Sequence, residues 1–304
     1  MSPTLPPGLQ VIERGWLSAN LVIASGEQPA LVDSGYASHA EQTLQLVHAA
    51  LPGQTPALLV NTHLHSDHCG GNAALQAAYP AMRTFIPPGQ AQEVTRWDED
   101  ALSYRPTGQH CPRFRYDGLL RPGQDLVLGE LAWQVHAAPG HDPHSVVLFE
   151  ADSRTLISAD ALWENGFGVV FPELEGEHAF EQVGATLDLI EGLAPLTVVP
   201  GHGPVFGFSG AVMARARQRL DSFALDPVRH AQHAGKVLLK FKLLEVQQQR
   251  RTDFMAWALA MPYMVKVHQR YFAGTDLQDW LNQLLANLVK VGAAQSCQDW
   301  VGNR

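Results

Sequence analysis

Between Asn61 and Gly71 the chain reads Asn-Thr-His-Leu-His-Ser-Asp-His-Cys-Gly-Gly. His63, His65, Asp67 and His68 thus supply four candidate metal ligands within six residues. Imidazole nitrogen and carboxylate oxygen suit zinc and similar divalent ions. A lone histidine is more often a packing or surface residue, but three histidines and an aspartate at this spacing point to a metal site. On an extended segment His63, His65 and Asp67 share one side, because side chains repeat every two residues, and His68 turns to the other as the chain bends into the glycines. Such a segment can feed two adjacent ions. Further candidates are His141, in Ala138-Pro139-Gly140-His141-Asp142-Pro143-His144, and His202, in Pro200-Gly201-His202-Gly203-Pro204. Asp160 follows the run Leu156-Ile157-Ser158-Ala159, which presents a carboxylate at a strand end. The remaining histidines (His39, His48, His110, His136, His178, His230, His233 and His268) lack such a context and read as surface or packing residues.

Groups so far apart in sequence need strands whose ends meet. The pattern predicts strands at Leu21–Ala24 and 30–33, a helix over 38–51 stopped by Pro52-Gly53, and a short buried strand over 58–62 that ends at the histidine cluster. A hairpin is expected across Gly129-Glu130, joining 126–128 to Leu131–Ala137, with further strands at Val146–Glu150 and 155–158. A helix over 177–193 leads to a strand over 196–199, which runs into Pro200-Gly201-His202. Interleaving of this kind predicts a layered α/β domain over residues 1–210. After Gly210 the pattern is helical, which predicts a second domain over 211–304. Asp226-Pro227 is a helix start, with Asp as cap and Pro in the first turn. Thr252 is expected to cap a second helix kinked at Pro262, and Thr275 a third. Leu277, Trp280, Leu281, Leu284, Leu285 and Leu288 fall on one helical face. That stripe must be covered, by the rest of the chain or by a second copy in a homo-oligomer. Residues 293–301 could form a small wing.

The order HxHxDH, Gly-His, strand-end Asp, Gly-His resembles the metallo-β-lactamase superfamily over about residues 10–208. Asp33, in Leu31-Val32-Asp33-Ser34-Gly35, matches the first landmark motif and residues 63–68 the second; His141, Asp160 and His202 match the third, fourth and fifth. The resemblance implies a four-layer αβ/βα sandwich with a binuclear site between its sheets. The helical tail is similar to the winged-helix-like appendage of β-lactamase-like endoribonucleases. One ion is placed on His63, His65 and His141 and the other on Asp67, His68 and His202, with Asp160 bridging and Asp33 supporting the metal loop. Two divalent ions are implied, zinc foremost, with iron or manganese as alternatives. Each keeps an open position for water, and paired dications lower the pKa of a bridging water toward neutrality, so that a hydroxide nucleophile exists at ordinary pH. Asp67 can orient that water or accept its proton. His144 is a candidate for substrate contact or for supporting a ligand, with a capping role as the alternative. Cys69 is expected to be a packed thiol.

Departures within the superfamily narrow the chemistry. The commonest zinc β-lactamases have cysteine where this chain has Asp160. The di-iron oxygen reductases place Glu where His65 stands and add a flavodoxin-like domain. Persulfide dioxygenases use one iron, whereas His68 and His202 here can complete a second position. Hydrolysis remains, and the resemblance to glyoxalase II and the lactonases implies a small-molecule thioester, ester or lactone. The alternative is a phosphodiesterase or endoribonuclease, suggested by the tail and by Val199-Pro200-Gly201-His202-Gly203-Pro204. A binding module that has lost activity is disfavoured by the complete ligand set.

Charge bears on that choice. Residues 1–210 hold 8 Lys+Arg and 23 Asp+Glu, a balance of −15, whereas residues 211–304 hold 13 and 7, a balance of +6. No basic groove is evident beside the metal motifs, which ranks nucleic acid below a small molecule. Trp97, Tyr104 and Phe114 in the stretch 96–121, together with Trp163 and 167–171, could line an apolar pocket or be ordinary core. With 304 residues, 46% hydrophobic and 17% charged, the chain can build a sizeable core and is not a disordered one. No apolar run is long enough to span a membrane. Residues 1–10 lack the pattern of a secretory signal, and three cysteines fit a reducing cytoplasm.

Overall fold

The computed structural model describes residues 3–304; the first two residues of the N-terminal stretch just discussed lie outside the described residues. The chain divides into two compact units, residues 1–102 with 110–221, and residues 103–109 with 222–304.

The first unit contains two six-stranded sheets, each in sequential order. Sheet one is β1 (Leu9–Ile12), β2 (Leu21–Ala24), β3 (Ala30–Val32), β4 (Leu58–Val60), β5 (Arg83–Ile86) and β6 (Gly118–Leu119). Its first three strands pair antiparallel and the rest parallel. Parallel neighbours need crossovers. α1 (Ala40–Ala50), α2 (Ser66–Cys69), α3 (Asn72–Ala78) and α4 (Ala91–Arg96) lie in those connections. Sheet two is β7 (Asp125–Leu128), β8 (Leu131–Ala137), β9 (Val146–Glu150), β10 (Thr155–Ala159), β11 (Thr197–Pro200) and β12 (Phe206–Gly207). Only β10 and β11 run parallel, joined through α5 (Phe171–Glu175) and α6 (Ala179–Leu193).

Alternation along the strands decides the layers. Val22, Val32 and Val60 of sheet one pack with Trp133, Val135, Leu148, Ile157 and Val199 of sheet two. Leu21, Ile23, Leu31 and Leu59 point the other way, onto Val47 of α1, Leu75 of α3, Leu51 and Met82. Strands buried on both faces read as unbroken apolar runs, which is why 21–24 and 58–60 carry no polar residue. The result is the expected αβ/βα sandwich.

α7 (Gly210–Leu225) starts in the first unit and ends in the second. The second unit adds α8 (Pro227–Val246), α9 (Arg251–Ala260), α10 (Pro262–Tyr271) and α11 (Leu277–Lys290), with a small sheet of β13 (Gln248–Arg250), β14 (Ala294–Ser296) and β15 (Trp300–Asn303) in the order β13-β15-β14. Asp226 caps α8, accepting from the Arg229 N–H at 3.0 Å. The stripe of α11 is buried at Trp280, Leu281, Leu284, Leu285 and Leu288. Three local expectations are corrected. Pro262 breaks the helix rather than kinking it: Met261, forced out of the helical region by the proline, has ψ 115°, and Pro262 opens a new helix. Thr252 lies inside α9, behind Arg250 at the cap position. Asp276, not Thr275, caps α11 by accepting from Asp279 N–H, while the Thr275 hydroxyl turns back to the Phe272 carbonyl. No helix among the described residues is long and apolar enough to cross a membrane.

Candidate metal centre

Parallel pairing places the landmark residues. Val32 pairs with Val60, so the chains leaving β3 and β4 emerge side by side and set Asp33 against Thr62. Ala159 pairs with Pro200, so Asp160 and His202 leave β10 and β11 at one edge. A register irregularity between Ile157 and Ala159, with Ala159 at φ 46°, turns Asp160 out of the strand. A non-glycine residue held there stores strain of roughly 1–3 kcal/mol, typical of functional sites. His141 comes from the turn between β8 and β9. The metal loop is not extended throughout. His65 is the last extended residue, and Ser66–Cys69 is a helical turn, so helical periodicity aims Asp67 and His68.

Three groups of ligand atoms lie within 4.8 Å of one another: His63, His65 and His141; His63, His68 and Asp160; and Asp67, His68 and His202. His63 Nε2 is 3.1 Å from His65 Nδ1, which is 2.9 Å from His141 Nε2. Nitrogens about 2.0–2.1 Å from one tetrahedral ion would stand roughly 3.3 Å apart, so this convergence fits a single small cation. On the other side His202 Nε2 is 3.1 Å from Asp67 Oδ2. Asp160 stands between the two: its Oδ2 is 3.4 Å from His141 Nε2 and 3.9 Å from His202 Nε2, and its Oδ1 is 3.5 Å from His68 Nε2. His68 Nε2 is buried without a hydrogen-bond partner, a costly state for a polar atom unless a cation takes its lone pair. Close approach makes a glycine obligatory at position 201, where a Cβ would fall 2.1 Å from Asp160 Oδ1 and 3.0 Å from His68 Cε1.

Three of the imidazoles are held by their outer nitrogen. His68 Nδ1 donates to Asp33 Oδ2 at 2.7 Å, His141 Nδ1 to the Val169 carbonyl at 2.6 Å and His202 Nδ1 to the Gly15 carbonyl at 3.1 Å. Such bonds fix the tautomer and aim the other nitrogen inward. Asp33 itself, at φ 59°, also accepts from the Thr62 N–H at 2.9 Å and the Thr62 hydroxyl at 2.8 Å.

Electrostatics divide the cluster. Burial, reinforced by neighbouring histidines, holds His63 well below its ordinary pKa and pushes His141 down to about 4. Burial would also lower His68, but the carboxylates of Asp33, Asp160 and Asp67 outweigh it and hold it well above its ordinary value. His202 is likewise raised against burial, by Asp160 and Asp67. Burial would raise the two aspartates, yet His202 and His68 hold Asp160 well below, and His68 and His202 hold Asp67 below, the ordinary carboxylate value. His63 and His141 are thus held toward neutral nitrogen donors. His68 and His202 are held toward imidazolium beside the carboxylates of Asp160 and Asp67, carrying protons that a dication could displace.

His144 does not join these groups. It sits among His63, Leu64, Pro87, Gln90 and Asp142, its ring against Gly89, where a Cβ would fall 2.0 Å from Nδ1. Cys69 is buried, its sulfur 3.8 Å from that of Cys111. Of the aromatic candidates, Phe171 meets His65 and His141 edge-on, at 5.2 and 5.7 Å between ring centroids. Trp163 donates its indole N–H to Asp160 Oδ1 at 3.2 Å. Trp97 and Phe114 pack on each other instead, and Tyr104 is buried in the segment belonging to the second unit. Three participants carry no sequence pattern of their own. Asp142 Oδ2 lies 3.9 Å from His65 Nε2; its place directly after His141 was the available signal. Trp16, 54% exposed, stacks parallel to His202 at 5.4 Å. Asn20 ties the loop before β2 to Pro200 and Gly203 through its side-chain amide.

Comparison with known proteins places this geometry in a family. The chain is 35% identical over 147 residues to a hydroxyacylglutathione hydrolase of Anaeromyxobacter dehalogenans (strain 2CP-C), covering 48% of this chain and 47% of that one. It is 28% identical over 213 residues to the acyl-coenzyme A thioesterase MBLAC2 of Homo sapiens, covering 62% and 74%. The chain thus spans about half the length of the bacterial relative. Among solved structures, a metallo-beta-lactamase family protein from Thermus thermophilus superposes with a TM-score of 0.58 over 99% of this chain and 100% of that one, at 18% identity. The family model described as Metallo-beta-lactamase superfamily matches residues 14–202, a stretch that takes in Asp33, both candidate triads and Asp160, and the chain belongs to that superfamily.

Proposed function

We propose that this chain is a binuclear metallohydrolase that cleaves a small-molecule thioester. The observation that carries the reading is the position of Asp160 between two ligand triads, with one carboxylate oxygen near a histidine of each. His63, His65 and His141 would hold one ion, Asp67, His68 and His202 the other, and Asp160 both. Two divalent ions bound there, zinc foremost with iron or manganese as alternatives, would supply Lewis acidity toward the substrate carbonyl and acidify a water toward neutrality. Asp67 is the least enclosed carboxylate of the set, at 16% side-chain exposure against 6% for Asp160. It is suited to orient the attacking water and accept its proton. The water oxygen bonds to the acyl carbon, the C–S bond breaks, and the departing thiolate takes a proton, giving carboxylate and thiol. Phe171 beside His65 and His141, and Trp16 beside His202, supply apolar surface for the rest of the substrate.

A thioester is favoured over a phosphodiester by two observations. Two relatives are named for thioester hydrolysis. The −15 balance of residues 1–210 also opposes the long phosphodiester backbone of a nucleic acid. Three free cysteines agree with a reducing, cytoplasmic setting. The test is turnover by zinc-loaded protein on S-lactoylglutathione, short and long acyl-coenzyme A, an acyl-homoserine lactone, bis-p-nitrophenyl phosphate and single-stranded RNA. The thioesters should be cleaved fastest, and Asp67→Asn, assayed at saturating zinc, should lower kcat roughly 10²–10⁴-fold. Cleavage of RNA or the phosphodiester alone would replace this reading with that of a β-lactamase-like endoribonuclease.

A further inference from the structure

Asp160 is the one residue common to both proposed ion positions, so the rotation of its carboxylate decides how the ions are joined. Its two oxygens are not equivalent. Oδ2 faces His141 and His202, one histidine from each triad. Oδ1 lies 3.5 Å from His68 Nε2 and accepts the indole N–H of Trp163 at 3.2 Å, and on another side it is pressed so close to Gly201 that a Cβ there would fall 2.1 Å away. Trp163 is itself well held. Its backbone N–H donates to the Gly166 carbonyl at 2.6 Å, closing a tight turn after β10. Its ring meets Trp16 edge-on at 5.2 Å and His202 at 5.8 Å.

We infer that Trp163 is a positioning residue whose indole N–H fixes the rotation of the Asp160 carboxylate, holding Oδ2 toward His141 and His202 and Oδ1 toward His68 so that the carboxylate reaches both ions. The inference rests on the binuclear reading above. A carboxylate free to rotate can give both oxygens to one ion and leave the other a ligand short. A hydrogen bond to Oδ1 opposes that rotation. Outer partners of this kind typically change metal affinity about 10–100-fold when removed. The residue touches neither substrate nor ion in this role; it acts through Asp160.

The test is zinc uptake measured by competition with a chromophoric chelator, with the visible spectrum of the cobalt-loaded protein as a second readout. Two variants separate the donor from the ring. W163F keeps an aromatic ring against Trp16 and His202 but has no N–H, and W163L has neither. Both should bind the first ion as wild type does, bind the second about 10-fold or more weakly to a similar degree, and alter the cobalt bands of the second equivalent. W163F binding two ions like wild type, whether or not W163L is impaired, overturns the inference and leaves ring packing as the only role. Should metal-free W163L fail to fold by circular dichroism, W163F decides alone. Wild-type protein saturating at one ion overturns the binuclear reading itself, and the inference with it. Wild type taking two ions with W163F unchanged sinks the Trp163 role alone.

Discussion

Asp33→Asn probes the support of the metal loop with almost no change of shape. As a carboxylate, Asp33 can only accept. Its Oδ1 takes the Thr62 N–H at 2.9 Å, and its Oδ2 takes the Thr62 hydroxyl at 2.8 Å and His68 Nδ1 at 2.7 Å. His68 Nδ1 must therefore carry a proton, which leaves the Nε2 lone pair for a cation. Asparagine tolerates the φ of 59° found here, so backbone strain is not the variable. With its carbonyl on the Thr62 N–H, its amide N–H₂ faces Thr62 and His68 and must donate. His68 Nδ1 then becomes an acceptor, so the ring is neutral with its one proton on Nε2, the nitrogen that faces Asp160. The metal-free protein loses one buried charge-assisted hydrogen bond, about 1.5–3 kcal/mol. Affinity for the ion held by His68 should fall about 10–100-fold. Urea unfolding of the metal-free form followed by circular dichroism reads the first quantity, and zinc titration against a chelator the second. Superimposable unfolding curves together with wild-type uptake of both ions would refute the claim that Asp33 sets the His68 tautomer.

Three further outcomes are expected. Gly201→Ala puts a methyl 2.1 Å from Asp160 Oδ1; overpacking should cost about 1–3 kcal/mol and reduce metal content, and a variant with wild-type stability and metal content would contradict the close approach. Native protein should react quickly with Ellman's reagent at one thiol, because Cys297 is exposed while Cys69 and Cys111 are buried, and at all three in denaturant; a second fast thiol in the native protein would contradict that packing. Glu150 accepts from the N–H groups of Asp152 and Ser153 and from the Ser153 hydroxyl, and these bonds outweigh burial and lower its pKa. A carboxylate lowered on folding contributes stability above its unfolded pKa and loses it as pH falls through the folded one. Glu150→Gln should therefore cost about 1 kcal/mol at pH 7 and little well below the carboxylate range, and a difference in unfolding free energy that persists unchanged into acid would count against this.

Much of the site is local and so is legible in the sequence. The run from His63 to His68 packs four donors into six residues, and no tertiary contact is needed to see what it could bind. Continuous apolar runs such as Leu21–Ala24 and Leu58–Val60 coincide with strands because burial on both faces leaves no room for polar residues. Weaker patterns were not legible. β5 and β6 are short, and Arg83 is exposed within β5, so neither carries the apolar run that marks a buried strand. The cap of α11 fell to Asp276 rather than Thr275 because the choice depends on which residue turns extended, a one-residue matter of backbone geometry. The meeting of His141, Asp160 and His202 with the histidine loop is decided by strand register, through Ala159 against Pro200 and Val32 against Val60, across sequence gaps that composition does not record. The outer partners of His141 and His202 are backbone carbonyls, of Val169 and Gly15. Every residue type carries a carbonyl. Which one faces an imidazole is settled only when the chain has folded, so the sequence names the groups that could bind the ions and the tertiary structure decides how they are aimed.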